Sequence, residues 1–498
     1  MTRRSIGIGL FFWRYFLTFS HKETLPTGLV PQGWFMPFVF ATIAALLVLG
    51  LIELGTWAWV VSLATVAVGF VAPLLLSQTW RMACTLIVPA VLAGVIWTFK
   101  VGAGTRIAPT LVVAFICIVI TSFGLLRQNV DWRRLPLLIP FSMYWIAVAL
   151  SYFPAVSKMH WARGLLETSL GYGFFLLGYG YLQNRAQLRS LLKLVVVVVV
   201  VTVLFGLVQL WLLDYLHGLI PLLYDEMDTY WVYHWAEPGR MVANWAHPSY
   251  LGAIINLAAP IALCYYLESE RLQLKYLFAY CLLGFGVVMT STRTPIVAFV
   301  ISSAFLVVLL RKNMSRLVLP LFGFLLLGGF AAPFVISSIQ RFDLSDPDNQ
   351  ATVVGRAEGR YAAYLLFLEH PLRGVGSRNY QDVVFIADPN AQGETHNVFI
   401  EEAAETGLMG VVPFIALLYL AFRGDFRRLR ECPRDLRAIS YALFAACIAI
   451  VIECFAENSL LVWQISSLFW LFRGISVAIR TRQGSLCAPA LADQPLAH

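Results

Sequence analysis

Long apolar runs follow one another along almost the whole chain, and they constrain this sequence more than any other feature. About fourteen can be marked, near residues 35–53, 56–77, 83–99, 108–126, 134–150, 166–183, 190–213, 248–267, 274–291, 294–310, 316–338, 407–422, 437–455 and 458–478. Each matches the thickness of a bilayer's hydrocarbon layer at about 1.5 Å per helical residue. Only a helix satisfies its own backbone polar groups at that depth, closed β-barrels aside. The expected fold is an all-α polytopic membrane protein of about 12–14 transmembrane helices. Composition agrees, because 59% hydrophobic and 13% charged residues leave a 498-residue chain too little polar surface for water.

A net charge of +8 often signals nucleic acid, but in a membrane chain the basic residues must first be sorted by side. Placing the N-terminus in the cytoplasm puts RQNVDWRR, QNRAQLR, ESERLQLK, RKNMSR, RGDFRRLRECPRDLR and RTRQG there too, roughly 25 basic residues against about 11 outside. That is the sense the positive-inside rule requires, so no nucleic-acid partner is inferred. Residues 1–34 have the basic start and apolar middle of a signal peptide without a small-residue cleavage site. They are read as a retained interfacial helix. Residues 35–480 form the transmembrane domain, and 481–498 a cytoplasmic tail. The eight cysteines show neither a disulfide framework nor metal spacing.

Four segments then face outward: 151–164, 213–250, 290–295 and a long loop at 338–406. Within the long loop VVGRAEGRYAAYLLFLEH reads as a helix with an apolar stripe of Ala362, Leu365, Leu366 and Phe367. A short helix from about 397 to 406 leads into the next span. Outward-facing arginine runs against the topological bias, yet Arg240, Arg293, Arg356, Arg360 and Arg378 all lie there. Arg356 and Arg360 share one helical face. Arg293 sits in a turn closed by Pro295, read as the first residue of the next helix, whose free N–H groups favour an anion. Guanidinium forks and helix N-termini converging on one place suit phosphate or pyrophosphate. The plainer alternative is that each arginine pairs with a lipid headgroup or a nearby carboxylate. His396, after Thr395 as N-cap, is the histidine best placed to act as a general base; its alternative is an interfacial residue capping backbone groups. The acidic run 343–350 lacks the Gly and distal Glu of a calcium loop, and no nucleotide-binding loop appears.

His396, Asn397, Gly407 and Gly410 fit the pattern His-Asn, nine residues, Gly, two residues, Gly. This resembles the signature of the bacterial O-antigen ligase and polymerase superfamily. HPLRGVGSRNY (370–380), TSTRTP (290–295) and GRMVANWAHPSYLG (239–252) are similar to three further segments of that family. The resemblance implies a metal-independent, inverting glycosyltransferase of the GT-C kind with no cofactor. Its donor would be a glycan on undecaprenyl pyrophosphate and its acceptor a glycan or lipid, at the periplasmic face of the plasma membrane. Carried over, His396 takes the acceptor's proton and Asn397 orients the helix start or the acceptor. Arg293 and either Arg356 or Arg360 hold the pyrophosphate. A protein O-oligosaccharyltransferase is the alternative within the class. A lipid-linked glycan transporter is the competitor outside it, with Glu53 and Glu453 as the span charges it would use.

Overall fold

The computed structural model describes residues 99–101, 105–107, 137–180, 185–211, 239–310 (apart from 244, 246 and 270–272), 319–320, 336, 347–387, 393–423 and 434–481. All lie in the unit Ala64–His498. The expected spans at 35–53, 56–77 and 108–126, almost all of 83–99 and 316–338, Glu53, the N-terminal segment and the tail beyond Thr481 fall outside the described residues.

Eleven helices are described: α1 (Leu138–Leu150), α2 (Lys158–Gly180), α3 (Arg185–Trp211), α4 (Pro248–Glu268), α5 (Leu274–Met289), α6 (Arg293–Leu309), α7 (Pro347–Glu369), α8 (Tyr380–Ala387), α9 (Val398–Arg423), α10 (Arg434–Glu453) and α11 (Trp463–Thr481). One short hairpin departs from the all-α expectation. Strand β1 (Phe99–Val101) pairs antiparallel with β2 (Thr105–Ile107). Val101, Thr105 and Ile107 are β-branched and favour extended backbone.

Among the described residues, four segments are long and apolar enough to cross a membrane: Leu188–Leu210 in α3, all of α4, all of α9, and Leu436–Glu453 in α10. Helices α1, α5 and α6 are apolar but shorter. The chain is a membrane protein. Helix α4 is buried on nearly every side and packs against α3, α5, α6 and α10. Its alanines at 253, 258, 259 and 262 let those neighbours approach closely. Helices α2 and α11 form the other tight pair. A Cβ added at Gly178 would overlap the Leu471 carbonyl, and one at Gly474 the Phe175 carbonyl, so the two backbones touch at glycine.

Helix α7 runs where the long loop was expected to be helical. Its buried face is Ala362, Ala363 and Leu366, packed on Val375, Tyr380, Val383, Val384 and Ala404. Leu365 and Phe367 are only half-buried, because each lies about 100° round the helix from Leu366. Helix α6 begins at Arg293 with Thr292 before it, so Pro295 is its third residue rather than its first.

Candidate functional site

The frame of the site is a pair of glycine turns locked to each other. At Gly407 the backbone of α9 breaks (φ 62°, ψ −164°), a conformation open essentially to glycine alone. The break frees carbonyls on one side and N–H groups on the other, and the 370–376 turn takes up both. Val375 and Gly376 donate to the carbonyls of Ala404 and Glu405, each at 2.9 Å. In return Leu408 donates to Pro371 (2.8 Å) and Met409 to Leu372 (3.2 Å). Gly374 also has positive φ, and a Cβ there would overlap the Glu405 backbone. Two of the glycine motifs in the sequence are thus the two halves of one joint.

That joint aims the start of α9. Asn397 is its cap: Oδ1 accepts from the N–H groups of Phe399 (3.0 Å) and Ile400 (3.1 Å), satisfying donors that the first turn leaves open. Thr395, the expected cap, does another job. Its hydroxyl accepts from the Asn397 N–H at 3.1 Å and lies 2.7 Å from Glu401 Oε2. The side-chain amide of Asn397 donates to the Phe455 carbonyl at 3.1 Å, and Val398 N–H donates to Cys454 at 3.0 Å. The turn between α10 and α11 is therefore stitched to the start of α9. Asn458, in that turn, adds a bond to Glu401 at 2.9 Å.

His396 stands just before the cap with φ 48°, in the left-handed region. Its Nδ1 lies 3.4 Å from Oε2 of Glu457, a carboxylate only 2% exposed, and 3.9 Å from the more open Glu394. In the tautomer protonated at Nδ1, the ring donates to Glu457 and keeps the Nε2 lone pair as a proton acceptor. The other oxygen of Glu457 accepts from Arg356 Nη2 at 3.1 Å. Burial pushes the Glu457 carboxyl up. The hydrogen bond from His396 and the charges of Arg356, His247 and His396 more than reverse this and hold it at about 2.

Ser249, in the first turn of α4, places its hydroxyl 3.3 Å from Glu457 Oε2 and 2.5 Å from His247 Nδ1, so its one proton can serve either acceptor. Burial brings His247 down to about 4; the Glu457 charge opposes this, while Arg240, His396 and Arg356 reinforce it. His247 also caps α4 by accepting from the Ser249 N–H.

The five outward arginines of the sequence divide into different roles. Arg356 holds Glu457 and lies 3.5 Å from the Ala456 carbonyl. Arg293, half-buried at the start of α6, is near enough to feel the charge of Arg356. Arg360, one turn along α7, reaches the carbonyls of Thr395 (3.4 Å) and His396 (3.5 Å), and so braces the backbone beneath the imidazole. Arg240 is buried and donates to the Thr290 carbonyl (3.2 Å) and the Thr292 hydroxyl (3.0 Å), fixing the turn that presents Arg293.

Arg378 does not join them. Its guanidinium is bound to Glu167 and to the Leu461 carbonyl, and its N–H donates to Glu405 at 2.8 Å. These contacts line a separate cleft with Tyr144, Trp463 and Trp470. Arg378 therefore stands apart from the other four arginines, with its fork on the buried carboxylate of Glu167.

Residues 278–415 match the family model described as O-antigen ligase. This match supports the O-antigen ligase and polymerase superfamily that the sequence motifs resemble. No curated protein sequence matches the chain. The O-antigen ligase segment holds Arg293, Arg356, Arg360, His396, Asn397 and both glycine turns, but stops before Glu457.

Sequence reasoning missed Glu457 and Ser249. A carboxylate in a very short connection between two apolar runs, AENSLLVW, is the signal that could have found the first. For Ser249 there was none beyond the helix-opening His-Pro-Ser. Glu453, weighed as a transport charge, is buried where α10 ends and accepts from Asn256 (2.7 Å) and Ser459 (3.2 Å). Those bonds tie α10 to α4 and to the following turn.

Proposed function

We propose that this protein is a GT-C-like glycosyltransferase of the plasma membrane, working at its periplasmic or extracellular face. It transfers a glycan from an undecaprenyl-pyrophosphate donor to a glycan or lipid acceptor, as an O-antigen ligase or a polysaccharide polymerase. The observation that carries this reading is the shared carboxylate: Glu457 binds His396 through one oxygen and Arg356 through the other. A base and a phosphate-binding fork are thereby held side by side.

In this reaction Nε2 of His396 removes the proton from the acceptor hydroxyl. The acceptor oxygen attacks the anomeric carbon from the face opposite the leaving group, and the bond from that carbon to the pyrophosphate oxygen breaks with inversion. The electron pair leaves with the pyrophosphate, whose growing charge falls on Arg293 and Arg356 without a metal ion. Arg360 and Asn397 act as positioning residues, one beneath the His396 carbonyl and one at the cap of α9. Arg240 supports the Arg293 turn.

The test is His396→Ala in cells lacking their own copy of the gene. Expression in the membrane stays level, lipid-linked donor accumulates, and transferred product is lost. Washing the membranes with EDTA leaves the unsubstituted protein active. Normal product from His396→Ala would end the proposal.

A further inference from the structure

Helix α7 has an exposed face with the wrong chemistry for water. Val354, Ala357, Tyr361, Tyr364 and Leu368 recur at alternating spacings of three and four, forming one stripe about 21 Å long at 1.5 Å per residue. Tyr361 is 58% exposed, Tyr364 51% and Leu368 54%, and Leu372 just beyond the helix is 63% exposed. No charged residue lies on the stripe. The opposite face, Ala362, Ala363 and Leu366, is already buried against α8 and α9, so the helix is apolar on two sides.

The stripe also runs into the exposed side of a candidate membrane span. Leu372 is hydrogen-bonded through its carbonyl to Met409 of α9, a helix long and apolar enough to span the membrane. From there Leu408, Val412, Ile415 and Tyr419 continue as exposed apolar residues down α9. Tyr152, Phe153 and Val156, in the connection between α1 and α2, are exposed too, and Arg373 lies over the Phe153 ring at 5.8 Å. An exposed apolar stripe continuous with the outer surface of a membrane span, with tyrosines along it, has the composition of an interfacial helix.

We propose that α7 lies in the plane of the membrane, with Tyr361, Tyr364, Leu368 and Leu372 embedded at the boundary between headgroups and acyl chains. The bound partner is the lipid leaflet itself. Arg356 and Arg360 flank the stripe on the side facing His396, so the helix would carry Arg356 at the depth where lipid phosphates lie. A lipid-linked anion arriving by lateral diffusion would then meet Arg356 without leaving the leaflet. The embedding stands without the transferase reading, because its test requires no turnover.

The full chain is reconstituted into nanodiscs of phosphatidylcholine and phosphatidylglycerol. Nitroxide labels are placed through Tyr364→Cys, Leu368→Cys and, off the stripe on the same helix, Glu369→Cys, with signal from the parent chain subtracted. Tyr364 and Leu368 are half exposed, so neither substitution empties a packed core position, and monodisperse elution checks folding. Labels at 364 and 368 should collide with oxygen, which partitions into lipid, several-fold more than with a water-soluble nickel chelate, relative to 369. Preference for the chelate would mean that the stripe faces water and would overturn the proposal. Shielding from both reagents would mean that protein covers the face, and would overturn it equally.

Discussion

Replacing Glu457 with Gln keeps the shape of the side chain and removes its charge. Holding this carboxyl at about 2, against an ordinary value of 4.5, corresponds to about 3 kcal/mol of net stabilisation of the anion. Arg356, His247 and His396 share that interaction. In Glu457→Gln the imidazolium that forms when His396 takes the acceptor's proton loses its buried anionic partner. Loss of the orientation that the Nδ1 contact imposes adds to this, and a combined fall of roughly 10²-fold in transfer rate is expected. The apparent KM for the lipid-linked donor should not rise, since Arg356 loses a competitor for its fork. Glu457→Asp, which retains the charge at a shorter reach, should recover part of the rate. The assay is single-turnover transfer in proteoliposomes with matched amounts of folded protein. If Glu457→Gln turned over normally, or if Asp and Gln were equally impaired, Glu457 would not act through charge on His396.

Arg293→Lys should lose transfer while retaining expression, because a point charge does not replace a planar fork on a diphosphate; retained activity in membranes would count against the clamp. Gly407→Ala places a Cβ against the Leu372 carbonyl at a backbone angle of φ 62°. It should cost about 1–3 kcal/mol from strain alone and lower the thermal midpoint measured by size-exclusion chromatography after heating. Acidification should destabilise the fold in two stages. His247 is held at about 4 against 6.5, so the unfolded chain binds its proton first and stability falls as pH drops from about 6.5 to 4. Glu457 is held low, so its contribution is whole above about 4.5 and disappears towards about 2. Thermal melts across pH should show both stages, and His247→Gln should flatten the first.

The spans were legible because apolar length alone reports them: α4, α5, α6 and α10 begin and end within a few residues of the runs that predicted them, while α9 joins the predicted short helix at 397–406 to the run at 407–422. The glycine motifs were legible as punctuation, since positive φ at 374 and 407 leaves few other choices of residue. Partnership was not legible. Arg356, Arg360 and Arg378 look alike in sequence, and only the fold shows that one meets Glu457, one the His396 carbonyl and one Glu167. The cap of α9 was misplaced for a similar reason. Thr and Asn both cap well, and the choice fell to Asn397 because Thr395 is drawn away by Glu401.

The stitching around His396 also bears on how this site could work without large rearrangement. His247, Ser249, Arg293, Arg356, His396 and Glu457 come from five separate stretches of chain, each of which would lose entropy on being brought together. That cost is met in the folded protein before any substrate arrives, by bonds that lie outside the reacting groups. Asn397 ties α9 to Phe455, Val398 to Cys454, Asn458 to Glu401, and Asn256 to both Glu453 and the Pro295 carbonyl. Fixed donors and charges of this kind stabilise a developing anion most when they need not reorient as it forms. The one contact positioned to exchange is Arg356 with Glu457, because a pyrophosphate would compete for the same fork. Donor arrival would then leave Glu457 more fully to His396, and the base would be best held when there is a bond to break.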